Sequence, residues 1–281
     1  MRVPPEGAAM LSVSGQEVAR YVWHSELPLS SSPRPFLHPV RTLGGHTVTD
    51  AAPDSHSHQF GISIAFPDIE GTNFWGGRTF VAGHGPAWLD NHGQEVHRRW
   101  LRRAGSHLSH LLNWVGADGN VLLRERRTIT CRALDLTAWA LRVDSRLTNA
   151  TDRPLTVCSP AARGRIGAGY GGHFWRGPAE AGATVLSPFG EGVERIHGRE
   201  ADWVAVTTSR WSLIFVPGDA ATARDRWFVR ARDYLGVCSA LAWDEPLALP
   251  PLQTVGRQVV TVVVDGRVDA ELAAKLARTA A

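Results

Sequence analysis

The chain has 281 residues and carries 30 Lys and Arg against 27 Asp and Glu, a formal charge of +3 too small and too evenly spread to mark a nucleic-acid binder. Its three cysteines, Cys131, Cys158 and Cys238, form no CxxC spacing, which argues against a disulfide scaffold and a cysteine zinc site. No segment approaches the roughly 20 apolar residues that span a bilayer, and the first ten residues lack a stretch long enough for a signal peptide, so the expectation is a soluble, cytoplasmic protein with no membrane partner.

In chain order, short runs of alternating polarity and β-branched residues predict strands at residues 18–23, 62–66, 108–114, 121–129, 139–143, 203–207, 212–216 and 258–264. Between them, Ala117-Asp-Gly-Asn120 reads as a hairpin turn and Asn149-Ala-Thr-Asp-Arg-Pro154 as a polar turn. Apolar residues at helical spacing predict one terminal helix at 268–279. Strands at this density with almost no helix describe an all-β antiparallel sandwich or barrel. With neither linker nor repeat in view, a single domain over 1–281 is expected, residues 1–15 being peripheral or disordered. Eleven tryptophans against two methionines suit either a core or flat platforms for sugar rings.

Five segments could carry chemistry. Arg34-Pro-Phe-Leu-His-Pro-Val-Arg41 is stiffened by two prolines, and its His38, Arg34 and Arg41 could hydrogen-bond a polyol or carboxylate; the bland reading is an edge strand. His56 and His58 share a face if their segment is extended, and Gly61 then permits close backbone approach. The pair could hold a divalent metal, move a proton or grip hydroxyls; a metal needs a third ligand, for which His38, His84, Glu125 and His173 are candidates. Gly71-Thr-Asn-Phe-Trp-Gly-Gly77, followed by His84 and His92, suits a loop that brings Asn73 and Trp75 to a ligand, or a tight turn over a buried Trp. In 122–128, Glu125 shares a face with Leu123 and Arg127, opposite Arg124 and Arg126, and is either a base or an ordinary ion-pair partner. The fifth, Gly167-Ala-Gly-Tyr-Gly-Gly-His-Phe-Trp-Arg-Gly177, lacks the spacing of a nucleotide loop and leads into a strand with His173 and Trp175 on one face and Phe174 and Arg176 on the other. The basic stretch 97–103 reads as a solvated strand face, and no nucleophile elbow appears.

Taken in order, RPFLHPVRT, DSHSHQFGISIAF, NFWGG, GADGNVLLRERRT, GYGGHFWR and the closing Asp265-Gly266 resemble a soluble bacterial family of uncharacterised proteins labelled "methane oxygenase PmoA-like", over approximately residues 20–266. The label conflicts with a chain that has no bilayer-spanning segment, so methane oxidation is set aside. The resemblance implies a galactose mutarotase-like β-supersandwich, a small-molecule carbohydrate as partner, and a functional link to a sugar oxidoreductase. It marks Arg34, His38, Arg41, His56, His58, Gly61, Asn73, Trp75, Gly76, Glu125, Gly171, Gly172 and Arg176; where members commonly carry a histidine near the penultimate strand, this chain reads Pro217-Gly218. The expected function is general acid/base chemistry on a sugar or oxidised sugar, by an epimerase or a glycoside-cleaving lyase or hydrolase. His56, His58 and Glu125 would be catalytic; Arg34, His38, Arg41, Asn73, Trp75, His173, Trp175 and Arg176 would bind substrate. A non-catalytic carbohydrate-binding accessory protein and a metal-dependent lyase or hydrolase using the His56/His58 pair are the alternatives.

Overall fold

The computed structural model describes residues 7–232 and 234–280. Strands β1 (Ala8–Val13), β2 (Gln16–Val22), β3 (Phe36–Val40) and β4 (Ile62–Ala65) are followed by the short β5 (Asp68–Ile69), β6 (Thr79–Val81) and β7 (Gly85–Ala87). The long β8 (Gln94–Ala104), β9 (His107–Val115), β10 (Val121–Ala133) and β11 (Ala138–Asn149) come next, then β12 (Leu155–Cys158), β13 (Gly172–Gly177), β14 (Thr184–Ser187) and β15 (Gly190–Glu191). One helical turn, α1 (Val193–Ile196), precedes β16 (Val204–Thr207), β17 (Trp211–Pro217), β18 (Arg226–Arg230), β19 (Leu235–Ala240), β20 (Leu247–Leu249), β21 (Thr254–Asp265) and the terminal helix α2 (Ala270–Ala280).

Two antiparallel sheets dominate, one of seven strands in the order β1-β2-β3-β4-β13-β19-β18 and one of nine in the order β15-β14-β16-β17-β21-β11-β10-β9-β8. The architecture is the antiparallel sandwich with a C-terminal helix that the strand pattern predicts. Residues 8–13, expected to be peripheral, instead form the edge strand β1 with Leu11 and Val13 buried, while residues 1–6 lie outside the described residues. No helix among the described residues is long and apolar enough to cross a membrane.

Alternation decides what each strand buries. Along β10, Leu123, Glu125, Arg127, Ile129 and Cys131 point inward, and the residues between them, Arg124 to Arg132, face out. Inward side chains of both sheets meet in one core, with Leu11, Ile62, Trp175 and Val229 from the first and Trp114, Leu123, Trp139 and Val263 from the second. Trp114, Trp139, Trp175, Trp211 and Trp227 are fully buried, so much of the tryptophan excess serves packing. On the outer face of the nine-stranded sheet, α2 lays Ala273, Leu276 and Ala277 over Ala140, Ile214, Val260 and Val262. That covers only the end of the face nearest β17 and β21.

Inside the sandwich, a charged cluster interrupts the apolar packing. Arg127 donates from Nε to Glu125 Oε1 at 2.7 Å, and from Nη2 to Glu125 Oε2 at 2.6 Å and to Glu95 Oε2 at 2.7 Å. Glu125 also accepts from Trp114 Nε1 at 2.8 Å and Ser145 Oγ at 2.7 Å. All three charged residues are at most 6% exposed.

Candidate functional site

A cleft of about 630 Å³ opens on the outer face of the seven-stranded sheet. Beneath it, β4, β13, β18 and β19 turn Ala65, Phe174, Phe228 and Cys238 to that side as an apolar floor, of which Phe228 lines the cleft together with Trp75, Tyr170 and Tyr234. Trp75 packs over this floor, with ring centroids 4.8 Å from Phe174 and 4.5 Å from Tyr170. One wall is the segment 54–59, a second is Trp75 to Arg78, a third is Arg165 to Tyr170, and Trp88 stands at the mouth, 62% exposed, after the β6–β7 hairpin. Arg230 and Tyr234 complete the ring.

His56 and His58 both line the cleft, on a turn of 3-10 helix (Asp54–His56) and the residues after it rather than on the expected strand. Pro53, with φ −63°, leads into that turn. The pairing of the imidazoles therefore comes from the turn and not from strand alternation, and their centroids stand 6.0 Å apart. His56 Nδ1 shares a 3.0 Å hydrogen bond with Ser55 Oγ, and its ring lies 5.1 Å from that of Tyr234. The His58 ring occupies space that only a glycine at position 77 leaves free: a Cβ there would sit 2.8 Å from His58 Nδ1, and Gly77 has φ +70°. Gly61 allows the close approach foreseen for it, since a Cβ would run into the Leu37 carbonyl.

Two buried polar residues hold these walls. Arg34 donates to the carbonyls of Ser31, Ser32, Trp75 and His58 at 2.8 to 3.1 Å and to Ser63 Oγ at 3.2 Å. Asn73 Oδ1 accepts from the backbone N–H groups of Trp75 and Gly76 at 2.8 Å each, and its amide donates to Thr79 Oγ1 at 2.9 Å. Neither lines the cleft, so both belong to its frame and not to its surface. Arg176 stands just behind the wall, donating to Gln59 Oε1 at 2.9 Å with its guanidinium carbon 4.3 Å from the Tyr234 ring centre.

Burial and the nearby cations set the protonation states. Burial, helped by Arg34 and by the other histidines and Arg176, pushes His58 down to about 4. Burial and then Arg176 lower His56 as well. Burial raises the phenols of Tyr170 and Tyr234. At neutral pH the cleft thus presents two neutral imidazoles and protonated phenols beside Arg78, Arg165 and Arg230, with Asp54 the one carboxylate among the described residues that line it.

Several sequence expectations are corrected by position. Glu125 does not meet the histidines: alternation along β10 turns it into the core, where Arg127 pairs with it. His173 and Trp175 do share a face, but it is the inner one, where Trp175 donates to the Val48 carbonyl at 2.9 Å and buried His173 leaves Nε2 without a partner. Phe174 and Arg176 hold the cleft side instead. His38 bonds Thr49 Oγ1 at 3.0 Å away from the cleft, and Arg41 is exposed on a strand end. Among the described residues no three His, Cys, Asp or Glu side chains gather as a metal ion would require, so none of the proposed third ligands joins His56 and His58.

Arg78, Trp88, Arg165, Phe228, Arg230 and Tyr234 are cleft residues that sequence patterning does not single out. Arg165 lies two residues before the glycine-rich segment that does, which itself contains Tyr170, and Trp88, just after Pro86, is the one further local signal.

Solved structures share only a loose likeness. The heparan sulfate lyase HepC from Pedobacter heparinus is 9% identical at a TM-score of 0.44, with 95% of this chain and 38% of that one covered. The GH36 alpha-galactosidase AgaA from Geobacillus stearothermophilus is 10% identical at 0.46, with 92% and 41% covered. This chain therefore spans about two fifths of the length of each. A galactose mutarotase related enzyme from Lactobacillus acidophilus is 8% identical at 0.45, with 94% and 99% covered. At such scores the likeness bears no functional weight. No curated protein matches. Residues 8–278 match a family model described as a family of unknown function, and the chain belongs to that family, DUF6807.

Proposed function

We propose that the cleft binds a carboxylate-bearing sugar, an oxidised sugar derivative, and acts on it by general acid/base chemistry. The observation that carries this reading is the cleft's composition among the described residues: Arg78, Arg165 and Arg230 beside Asp54, aromatic rings on the floor and at the mouth, and two neutral imidazoles. Aromatic faces suit the CH-rich side of a sugar ring, and guanidinium groups recognise a carboxylate through paired hydrogen bonds. A free neutral imidazole is a competent base near pH 7.

In this mechanism His56 or His58 removes the proton on the carbon next to the carboxylate, and the arginines neutralise the charge that develops on its oxygens. Tyr234, kept protonated by burial, supplies a proton in return. Delivered to the opposite face of the same carbon, that proton completes an epimerisation. Delivered to the glycosidic oxygen as the C–O bond breaks and the C=C bond forms, it completes an elimination. An oxidised sugar is also what a sugar oxidoreductase releases, which makes such an enzyme a fitting upstream partner.

The test is exchange and product formation on uronic acid glycosides and their neutral counterparts, followed by NMR in D2O. Deuterium incorporation next to the carboxylate, or a new unsaturated product, abolished by His56→Ala with His58→Ala, is the expected result. Calorimetric binding of the acidic sugars with neither exchange nor product would replace the enzyme by an accessory binding protein. Preference for neutral sugars would remove the role given to the arginines.

A further inference from the structure

The other outer face of the sandwich carries a second feature, unconnected with the cleft. Where α2 stops covering the nine-stranded sheet, two adjoining hollows of about 660 and 500 Å³ share Arg126 and Arg146. Strand register sets a row across this surface: Arg99 on β8 is opposite Leu111 on β9, Leu111 opposite Arg126 on β10, and Arg126 opposite Arg146 on β11. Arg124 lies two residues along β10, about 7 Å away at the usual rise of a strand.

Like charges placed directly opposite one another destabilise a sheet. Arg126 and Arg146 occupy that arrangement, and no acid is paired with Arg124 or Arg126 among the described residues. Among the described residues, the one acidic side chain in the hollows that faces them is Asp144, 3.3 Å from Arg146 Nε and also bonded by Gln258. Arg142 is held by Gln258 Oε1 at 3.0 Å. β-Bulges at 97–99 and 100–102 re-aim β8, and Arg98 and Arg99 both reach the first hollow. Around the guanidinium groups stand hydroxyls and an amide, Thr128, Thr148, Thr254 and Asn113, and among the described residues no aromatic side chain lines either hollow.

We infer that this face is a docking surface for an acidic polysaccharide, whose sulfate or carboxylate groups sit between Arg126 and Arg146 while its hydroxyls meet the threonines. The anion relieves the repulsion built into the row. Single-stranded nucleic acid is disfavoured by the lack of any ring on which a base could stack. Guanidinium forks bind sulfate and carboxylate alike, so sulfated and carboxylated chains are distinguished by experiment.

Fluorescence anisotropy on the full chain, with labelled heparin, labelled polygalacturonate and labelled duplex DNA over a series of salt concentrations, tests this. One of the two polysaccharides binds, with an affinity that falls as salt rises, and Arg124→Gln/Arg126→Gln/Arg146→Gln weakens it at least tenfold while the melting temperature holds or rises. The single replacements Arg126→Gln and Arg146→Gln, each removing half of the like-charge pair, give a several-fold loss and serve if the triple variant does not fold. Failure of both polysaccharides to bind, equal binding by the variants, or DNA binding as tight as either polysaccharide overturns the inference. Binding that the three substitutions leave unchanged belongs to the cleft, whose arginines they do not touch.

Discussion

Arg127→Met is the sharpest probe of the sandwich interior. The guanidinium contacts two carboxylates, Glu125 and Glu95, and also lies 3.4 Å from Tyr21 Oη and the Pro35 carbonyl. Methionine keeps much of the apolar volume and none of the charge, so two carboxyl groups lose the cation they share. Removing one partner of a buried ion pair costs about 3–5 kcal/mol. With a urea dependence of about 3 kcal/mol per molar, the unfolding midpoint falls by more than about 1 M.

The pH dependence is signed. Burial pushes Glu95 up to about 8, against the pull of Arg127 in the other direction. A carboxyl raised in the folded state binds more protons there than in the unfolded chain, so stability declines as pH rises from about 4.5, where the unfolded group titrates, to about 8. Without Arg127 the folded group moves higher still, and the variant goes on losing stability above pH 8 where the parent has levelled off. Urea titrations of both proteins at several pH values between 6 and 9.5, read by tryptophan fluorescence, measure this. A midpoint unchanged by the substitution, or a deficit that narrows from pH 8 to 9.5, refutes the assignment of these groups as a coupled buried cluster.

Three further outcomes follow from the cleft. Gly77→Ala places a Cβ 2.8 Å from the His58 ring at φ +70°, costs about 1–2 kcal/mol, and weakens ligand binding more than tenfold by displacing the imidazole, as calorimetry with an acidic sugar will show. His58 is lowered in the folded state, so the stability it confers is complete above the unfolded value of 6.5 and drains away as pH falls towards about 4; His58→Gln flattens that part of a melting temperature against pH curve. Arg34→Lys keeps a cation but cannot reach the carbonyls of Ser31, Ser32, Trp75 and His58 together, so it raises KM at least tenfold for the cleft substrate with a smaller loss of stability, measured by steady-state kinetics beside thermal melts.

How far this was legible in the residues depends on what positions them. Strand alternation is local, and it correctly separates Glu125 and Arg127 from Arg124 and Arg126, and His173 and Trp175 from Phe174 and Arg176. Which face turns inward is not local. Both sets on β13 mix an aromatic ring with a basic side chain, and only packing against the opposite sheet, Trp175 edge-on to Phe215 at 5.4 Å, makes one of them core. Glu125 illustrates the same point, since a carboxylate beside an arginine on one strand face marks either a site or a buried pair, and packing that buries Arg127 between it and Glu95, some thirty residues earlier, makes it the pair.

The cleft was half visible for a related reason. His56, His58 and Trp75 stand in it, and Arg34 and Asn73, recognisable as unusual beside glycines and prolines, lie just beneath and tie its loops together. A buried polar side chain has the same signature in sequence whether it grips a ligand or the backbone of a neighbouring loop, because both uses place hydrogen-bonding groups among apolar ones. The charges that give the cleft its preference, Arg78, Arg165 and Arg230, come from three separate segments with no shared spacing. A fold that locks its loops through Arg34 and Asn73 can take recognition groups from wherever those loops pass. Substrate preference is therefore free to change at position 78 without disturbing the residues that make the cleft, whereas Arg230 also braces it, donating to the Val229 and Gly167 carbonyls at 2.9 and 3.4 Å.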